Sequence, residues 1–516
     1  MDAATLLPAL AMLHLRRLSF VLLVFAAAAS PAWAQSAAPA APARSADPLA
    51  DLDAYIEQAR RAWEIPGLAI AIVRDDSVIF ARGYGVREHG RDAPVDEHTL
   101  FAIASTTKAF TAAALGMLVD EGVLDWDDPV RRHLPAFELQ DPYVTRHVTI
   151  RDLLTHRVGV AREDNVWIAG PFERPEIIRR LRHLDQVRGF RHGYSYNNLM
   201  YMVAGEVVAA AADTSWDAFV EARLFEPLGM TRTTSRFDVV QTRDNVSSAH
   251  IRSGGQIIVM DRRDYDALGP AGSVLSSARD MAQWIRLHLN GGVYDGKRLL
   301  KRETIEEMHT PQVVMRIDSV TRRMFPTQNF SAYGLGWRLH DYHGRKIVQH
   351  TGSVNYTRTQ VGMIPSEGIG VVVMANLSSS TLQTALMYRV FDLLLGLPET
   401  DWSGEYLALA RRSSGGRGSE PEVKAAQRGP SLPLEDYAGT YSDPLYGDVT
   451  VALEDGRLVL RYSPDYVADL EHWRFDTFRG RWRSRGFGQT AVTFGLDSRG
   501  RVRSLELQGF TTFRRR

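Results

Sequence analysis

The chain beyond residue 48 opens with a helical and then a strand-like pattern of apolar positions. Apolar side chains recur with a helical period over residues 49–63, and Pro66 ends that pattern. Two runs rich in β-branched residues follow at 68–73 and 78–84, on either side of the turn-forming pair Asp75-Asp76. The pattern therefore predicts one helix followed by two strands.

The rest of this body divides into a helical middle and a strand-rich end. From Phe101 to about Phe330 the pattern favours helices and loops. A helix is predicted at 381–395, preceded by strands at 334–339, 346–350, 359–363 and 368–374. Strands at both ends around a helical middle indicate an α+β fold, in which both ends of the body form one antiparallel sheet that carries an inserted helical lobe.

The C-terminal part of the chain has a different pattern. Val449, Val451 and Leu453 alternate with polar residues up to Asp455-Gly456, and the alternation resumes beyond that pair, which is a strong hairpin signal. A stretch at 411–433, rich in Ser, Gly, Pro and charged residues, marks a domain boundary. We therefore predict a body at 49–400, a linker at 401–431 and an all-β domain at 432–516.

The N-terminus has the three parts of a secretory signal. Arg16 and Arg17 precede the apolar run 21–29, and Ala32-Trp33-Ala34 forms a small-x-small cleavage site. Whether translation starts at Met1 or Met12, we expect a signal peptide at 1–34 and a periplasmic or secreted protein, with an Ala- and Pro-rich leader at 35–48. N-terminal sequencing of the mature protein should then start near Gln35. No later segment is expected to span a bilayer.

Charge and cysteine content narrow the function classes. The 516 residues include 61 Lys and Arg and 61 Asp and Glu, so no basic excess favours nucleic acid or an anionic membrane surface. Without cysteine, disulfides, thiolate metal sites and thiol nucleophiles are excluded. Neither Gly-x-Ser-x-Gly nor His-Glu-x-x-His occurs, which argues against an α/β-hydrolase and a zinc peptidase.

The strongest candidate chemistry lies in Ser105 and Lys108. Their spacing places both side chains on one face at the start of a helix, ahead of the apolar run 109–118. The positive field of the helix start depresses the pKa of a lysine, and a neutral Lys108 can take the Ser105 proton. The alternative is an N-capping serine beside a solvated lysine. Against it, this is the only Ser-x-x-Lys in the chain, and Lys108 is the only lysine before Lys297.

A second polar stretch, Tyr194-Ser195-Tyr196-Asn197-Asn198, precedes a helix rich in Ala and Val. Tyr196 offers a phenol for proton transfer, and Asn198 an amide that can bind both Lys108 and a substrate carbonyl. Tyr194 is an alternative phenol, but Tyr196 is the one with Asn at the second following position. Taken alone, the stretch is typical of a polar loop that caps a helix.

The third element is His350-Thr351-Gly352-Ser353, at the end of a predicted edge strand. Glycine lets a substrate backbone approach closely, and a strand edge can pair with an extended substrate. The backbone N–H groups of Ser353 and Ser105 are the predicted oxyanion hole. Taken alone, His-Thr-Gly is typical of a turn.

Taken together and in this order, the three elements resemble the motifs of the serine β-lactamase and penicillin-binding-protein family. The stretches 153–156 and 269–273 fit as well, so the resemblance covers about residues 50–400. It is closest to the class C branch, which includes β-lactamases, D-alanyl-D-alanine carboxypeptidases, D-aminopeptidases and esterases. The stretch 437–441 resembles the small lipocalin-like barrel domain often fused to these hydrolases.

This resemblance implies a β-lactamase/transpeptidase-like fold and catalysis by Ser105, Lys108 and Tyr196, without a metal or organic cofactor. Substrate binding is assigned to a second set, which comprises Asn198, His350, Thr351, Gly352 and Ser353.

The substrate class stays open at this stage. His350 stands where class C β-lactamases have lysine, and an imidazole is a weaker clamp for a carboxylate, so efficient β-lactam hydrolysis is in doubt. Class A chemistry is disfavoured because no Glu-x-x-Leu-Asn occurs. The expected partner is a small-molecule or peptide substrate, such as a D-amino-acid peptide from the cell wall, a small ester or a β-lactam. The alternatives are a slowly deacylating penicillin-binding sensor and an inactive relative that binds cell-wall ligands.

Overall fold

The computed structural model describes residues 49–354, 356–378, 380–415, 429–484 and 487–516. The predicted signal peptide (1–34) and leader (35–48) lie outside these residues, as does the part of the predicted linker from 416 to 428. Within the described ranges, no helix is both long enough and apolar enough to cross a membrane.

The helices and the strands of the described residues are each numbered in chain order. The helices are α1 (Ala50–Ala62), α2 (Thr107–Asp120), α3 (Val130–His133), α4 (Pro142–His147), α5 (Ile150–Leu154), α6 (Asn165–Ile168), α7 (Arg174–Arg180), α8 (Asn198–Ala212), α9 (Trp216–Val220), α10 (Phe237–Gln241), α11 (Ala278–Leu289), α12 (Arg302–Met308), α13 (Ser319–Met324), α14 (Leu382–Leu395) and α15 (Trp402–Gly415). The strands are β1 (Gly67–Arg74), β2 (Ser77–Gly85), β3 (Phe101–Ala102), β4 (Ala249–Ser253), β5 (Gln256–Met260), β6 (Leu275–Ser276), β7 (Val293–Tyr294), β8 (Lys297–Arg298), β9 (Val313–Val314), β10 (Ser331–Tyr333), β11 (Arg338–Tyr342), β12 (Arg345–Val354), β13 (Thr357–Ile364), β14 (Ile369–Ala375), β15 (Gly439–Asp443), β16 (Gly447–Glu454), β17 (Arg457–Ser463), β18 (Tyr466–Arg474), β19 (Thr477–Trp482), β20 (Gln489–Leu496), β21 (Val502–Leu507) and β22 (Thr512–Arg515).

The body is built on an eight-stranded sheet with the order β2-β1-β14-β13-β12-β11-β10-β9. β1, from the start of the body, pairs antiparallel with β14, from its end, so that Leu68 lies opposite Ala375 and Arg74 opposite Ile369. The prediction of one antiparallel sheet made from both ends of the body is confirmed.

Helices cover both faces of this sheet. Leu68 and Val373 face the layer of α1 and α14, whereas Ala69 and Val372 face α11 and the helical lobe that contains α2 and α8. β1 is therefore apolar at almost every position, as expected of a strand that is buried on both sides. The helical lobe is the part of the molecule that holds Ser105 and Lys108.

The C-terminal domain is a closed barrel in which β15 to β22 follow one another around the ring. Its predicted hairpin is confirmed, since Glu454 pairs with Arg457 across Asp455-Gly456, and both turn residues have positive φ (47° and 75°). Apolar and aromatic side chains such as Phe494 and Phe513 are buried within it. The barrel contacts the body directly, and one such contact joins the Tyr446 hydroxyl to Glu163 Oε2 at 2.5 Å.

The prediction of an edge strand at His350 is wrong for the first half of that strand. β11 pairs with β12 from Arg345 to Gln349, so this half lies inside the sheet. Along the rest of β12, among the described residues, Ser353 and its neighbours pair with β13 on one side and with no strand on the other. An open edge therefore begins only where the predicted motif begins.

Two further expectations differ from the structure. The stretch predicted as one strand at 334–339 begins with a turn at 334–337, and only its last two residues belong to β11. Gly336 has φ +80°, and a side chain there would lie 2.9 Å from Ala109 in α2. The predicted linker at 401–431 begins with α15, which packs against α14 through Trp402.

Candidate active site

Ser105 lies at the point where the chain enters the helical lobe. It occupies a 3₁₀ turn, Ala104–Thr106, that leads directly into α2. Ala104 has φ +51°, a strained conformation for a residue with a side chain, and such strain concentrates at functional sites. Ser105 is partly exposed between buried neighbours, so its hydroxyl is accessible at the head of the helix.

Lys108 lies one turn further along and is fully buried. Its Nζ is 3.3 Å from Ser105 Oγ, 2.7 Å from Asn198 Oδ1 and 2.7 Å from the carbonyl oxygen of Ala271. The last two atoms accept hydrogen bonds only, so they take the two N–H bonds of a neutral amine. The lone pair of that amine then faces Ser105.

The electrostatics favour this neutral amine. Burial holds the pKa of Lys108 well below its usual value, and the positive charges of Arg162 and Arg338 lower it further. Asp164 is the one charge that raises it. Lys108 therefore has the geometry of a general base for Ser105, and its burial favours the neutral form that this role needs.

The structure brings Tyr196 to the nucleophile. The Tyr196 hydroxyl is hydrogen-bonded to Ser105, and its ring centre lies 4.9 Å from Lys108 Nζ. Burial raises the pKa of Tyr196, so the phenol keeps its proton at neutral pH. The alternative phenol, Tyr194, instead accepts a hydrogen bond from Arg338 at 3.2 Å.

Asn198 is the first residue of α8, and its neighbour Asn197 caps that helix by accepting the N–H of Met200. The cap fixes the direction in which the Asn198 side chain leaves the helix. One end of its amide contacts Lys108, and the other donates from Nδ2 to Asp164 Oδ1 at 2.9 Å. Asn198 thus connects α8 to the base of the site.

The His350-Thr351-Gly352-Ser353 element borders the same site, but its histidine points inward. The His350 imidazole is 1% exposed, and its Nε2 lies 3.0 Å from the Tyr333 hydroxyl. Burial, together with the positive charge of the nearby Arg338, keeps the pKa of His350 well below its usual range. His350 is therefore neutral and lies behind the site rather than facing a substrate carboxylate.

At Gly352 the backbone of β12 comes so close to a neighbouring segment that only a glycine fits. A side chain there would lie 2.0 Å from the carbonyl oxygen of Ile103, so β12 passes directly beside the segment that carries Ser105. Thr351 and Ser353, on either side of Gly352, are exposed. The exposed edge of β12 thus lies directly beside the head of α2, where Ser105 is partly exposed.

Comparison with known proteins shows to which family the body belongs. A family model described as Beta-lactamase matches residues 52–393, which is most of the body. The chain belongs to this family. A second model, Domain of unknown function (DUF3471), matches residues 423–515, which include the barrel.

The β-lactamase-family chain is similar over most of its length to two fungal proteins and to one archaeal structure. An unguisins hydrolase of Aspergillus campestris is 30% identical over 449 residues, which are 81% of this chain and 80% of the relative. That of Aspergillus violaceofuscus is 29% identical over 476 residues, which are 85% and 84% of the two chains. The octameric penicillin-binding protein homologue from Pyrococcus abyssi covers 90% of this chain and 99% of its own, with 23% identity and a TM-score of 0.60. The β-lactamase/transpeptidase-like fold with a C-terminal eight-stranded barrel is thereby shown.

Three charged residues at this β-lactamase-family site could not be predicted from the sequence. Arg162 and Asp164 lie in the loop before α6, and Arg338 opens β11, so no helical or strand period links them to Ser105. Asp164 is nevertheless hydrogen-bonded to Asn198, and the charge of Arg338 acts on Lys108. A charged residue in an aperiodic loop carries no sequence signal of this kind. In the described parts of the chain, no cluster of His, Asp and Glu is suited to hold a metal ion.

Proposed function

We propose that this protein is an exported serine hydrolase that forms an acyl-enzyme at Ser105 with an amide or ester substrate. The observation that carries the proposal is the environment of the buried Lys108, whose Nζ lies 2.7 Å from each of two acceptors and 3.3 Å from Ser105 Oγ. Export rests on the N-terminal signal pattern alone.

The reaction proceeds by two acyl transfers. Ser105 Oγ attacks the carbonyl carbon while its proton passes to Lys108 Nζ, and the Ser105 and Ser353 N–H groups bind the oxyanion. Tyr196 then gives its phenol proton to the leaving nitrogen or oxygen as that bond breaks, and the Lys108 ammonium returns a proton to Tyr196. Water attacks the acyl-enzyme by the same route in reverse, which restores Ser105 and releases the acid.

The charges around the cleft favour a substrate that carries a carboxylate. Arg338 is partly exposed, and its Nε is buried without a hydrogen-bond partner among the described residues. His350 is neutral and turned away, so the cations near the nucleophile are Arg162, which is paired with Asp164, and Arg338. A D-amino-acid peptide with a free carboxylate fits this site, as do small β-lactams, and two relatives bear the name unguisins hydrolase.

A time course of intact mass tests the proposal. Wild type and Ser105→Ala are each mixed with a penicillin, which carries a carboxylate, and with a p-nitrophenyl ester, which does not. We expect a mass adduct in wild type that Ser105→Ala lacks, and faster acylation by the penicillin. The lifetime of the adduct separates a hydrolase from a slowly deacylating sensor. An adduct of equal size in Ser105→Ala would contradict the assignment of the nucleophile.

A further inference from the structure

The hydrogen bonds around Lys108 depend on which way the Asn198 amide faces. With Oδ1 toward Lys108, the amide accepts one of the two N–H bonds of the neutral amine, at 2.7 Å. If the amide were turned around, its Nδ2 would present a donor to Lys108, and only the lone pair of the amine could accept it. That lone pair is the one that must take the Ser105 proton. The orientation of the amide therefore decides whether Lys108 can act as a base.

Asp164 is the group that distinguishes the two orientations. Its Oδ1 accepts from Asn198 Nδ2 at 2.9 Å, and an ionised carboxylate has no proton to offer to an amide oxygen. The carboxylate is itself held by Arg162 Nε at 2.6 Å and by Trp167 Nε1 at 3.1 Å. Turning the Asn198 amide would place two acceptors against each other at Asp164 and would cost a charge-assisted hydrogen bond.

We infer that Asp164 is a positioning residue: by accepting the Asn198 N–H it holds Asn198 Oδ1 against Lys108 and leaves the Lys108 lone pair to Ser105. The inference rests on the proposed function of Ser105. The effect of Asp164 on the titration of Lys108 can nevertheless be measured without any turnover. Among the described residues, the Asp164 side chain is hydrogen-bonded to Arg162, Trp167 and Asn198, and to neither Ser105 nor Lys108. It acts through Asn198.

The C-terminal barrel holds Asp164 in place from the other side. Glu163 accepts from the Tyr446 hydroxyl at 2.5 Å, and Asn165 Nδ2 donates to the Gly509 carbonyl oxygen at 2.5 Å. The two neighbours of Asp164 thus both bond to the barrel, while Asp164 itself faces Asn198. This gives the barrel a role in catalysis: it fixes the loop that orients the amide.

The direction in which the Lys108 titration shifts when Asp164 is replaced follows from the charged groups around Lys108. Asp164 raises the pKa of Lys108, whereas burial, Arg162 and Arg338 lower it. The other titratable groups around Lys108 are two phenols and two imidazoles, namely Tyr196, Tyr201, His156 and His350. Removing the charge of Asp164 therefore shifts the Lys108 titration to lower pH.

The Lys108 titration can be measured directly because the chain has only five lysines. Lysine labelled with ¹³C at Cε gives five signals, and the signal lost in Lys108→Arg assigns Lys108. For Asp164→Asn and Asp164→Ala we expect the Lys108 midpoint to fall by about one pH unit, the usual effect of one nearby charge. The matched control is Asp238→Asn, which removes an equal charge at an exposed position paired with Arg236, and it should leave the midpoint unchanged.

At high pH Lys108 is neutral in every variant, and the acylation rate reaches a plateau. The plateau rate therefore separates the effect of the Asn198 amide orientation from the effect of the Asp164 charge. Asp164→Asn keeps an oxygen that can accept from Asn198, so its plateau should stay within about fivefold of wild type, the value of one ordinary hydrogen bond. Asp164→Ala leaves the amide free to turn, and its plateau should fall about tenfold or more, as for partial loss of a general base. A Lys108 midpoint unchanged in both variants, or a wild-type plateau in Asp164→Ala, overturns the inference. If wild-type Ser105 is never acylated, the proposed function fails, and the Lys108 midpoint still decides whether Asp164 acts on Lys108.

Discussion

Tyrosines with raised pKa values lie, among other places, around the nucleophile and within the barrel, and in these two regions they serve different ends. Around Ser105 they are Tyr194, Tyr196, Tyr201 and Tyr333. In the barrel they are Tyr437, Tyr441, Tyr446, Tyr462 and Tyr466. Burial raises the pKa of tyrosines in both regions, for instance to about 12 for both Tyr194 and Tyr441. The pKa shift therefore does not distinguish a reactive phenol from a structural one.

The hydrogen-bond partner does distinguish Tyr196 from the barrel tyrosines Tyr441 and Tyr462. In the barrel, Tyr441 donates to the Tyr437 carbonyl oxygen at 2.7 Å, and Tyr462 donates to the Tyr446 carbonyl oxygen at 2.9 Å. A carbonyl only accepts, so these protons are fixed. Tyr196 bonds instead to the Ser105 hydroxyl, which both donates and accepts. A phenol can take part in proton transfer only where its partner can pass the proton on.

The largest expected effect comes from removing either proton carrier at the site. Tyr196→Phe and Lys108→Arg should each slow acylation of Ser105 by about 100-fold or more, the usual contribution of a general acid or base. Arginine stays protonated, so it cannot accept the Ser105 proton. The measurement is the second-order rate of adduct formation by intact mass.

Two matched controls accompany these variants. Lys297→Arg makes the same change on an exposed strand, and Tyr462→Phe makes the same change inside the barrel. Both should acylate at the wild-type rate. If Lys108→Arg were as fast as Lys297→Arg, Lys108 would act only through its charge.

The site residues differ in whether their neighbours could be predicted from the sequence. The nearness of Ser105 to Lys108 could be predicted because the two residues are only three positions apart at a helix start, and that of Tyr196 to Asn198 because both lie at the start of α8. The partners of Asn198 and the direction of His350 depend on how loops and strands distant in sequence come together. The edge strand was misassigned for the same reason, since no local pattern shows that β11 pairs with only half of β12.

Tyr446 belongs to the barrel, but its hydroxyl donates a hydrogen bond to Glu163 of the body. Tyr446→Phe removes the bond to Glu163 and frees the loop that carries Asp164, so acylation should slow by about fivefold, the value of one ordinary hydrogen bond. Tyr462→Phe removes a hydroxyl whose bond stays within the barrel, so it should leave the rate unchanged. Equal rates in Tyr446→Phe and wild type would show that the barrel does not act on the site through this contact.

The smallest effect on catalysis is expected at Tyr441, whose hydroxyl bonds to the buried Tyr437 carbonyl oxygen inside the barrel. Tyr441→Phe leaves that carbonyl unpaired, which should lower the free energy of unfolding of the barrel by about 1–3 kcal/mol. Acylation of Ser105 should not change, because the carbonyl neither moves a proton nor contacts the loop that carries Asp164. Denaturant unfolding followed by barrel tryptophan fluorescence measures the first quantity, and intact mass measures the second. A loss of acylation in Tyr441→Phe under conditions where the barrel stays folded would mean that the barrel interior and the site are coupled, and that the distinction between fixed and mobile phenol protons is too simple.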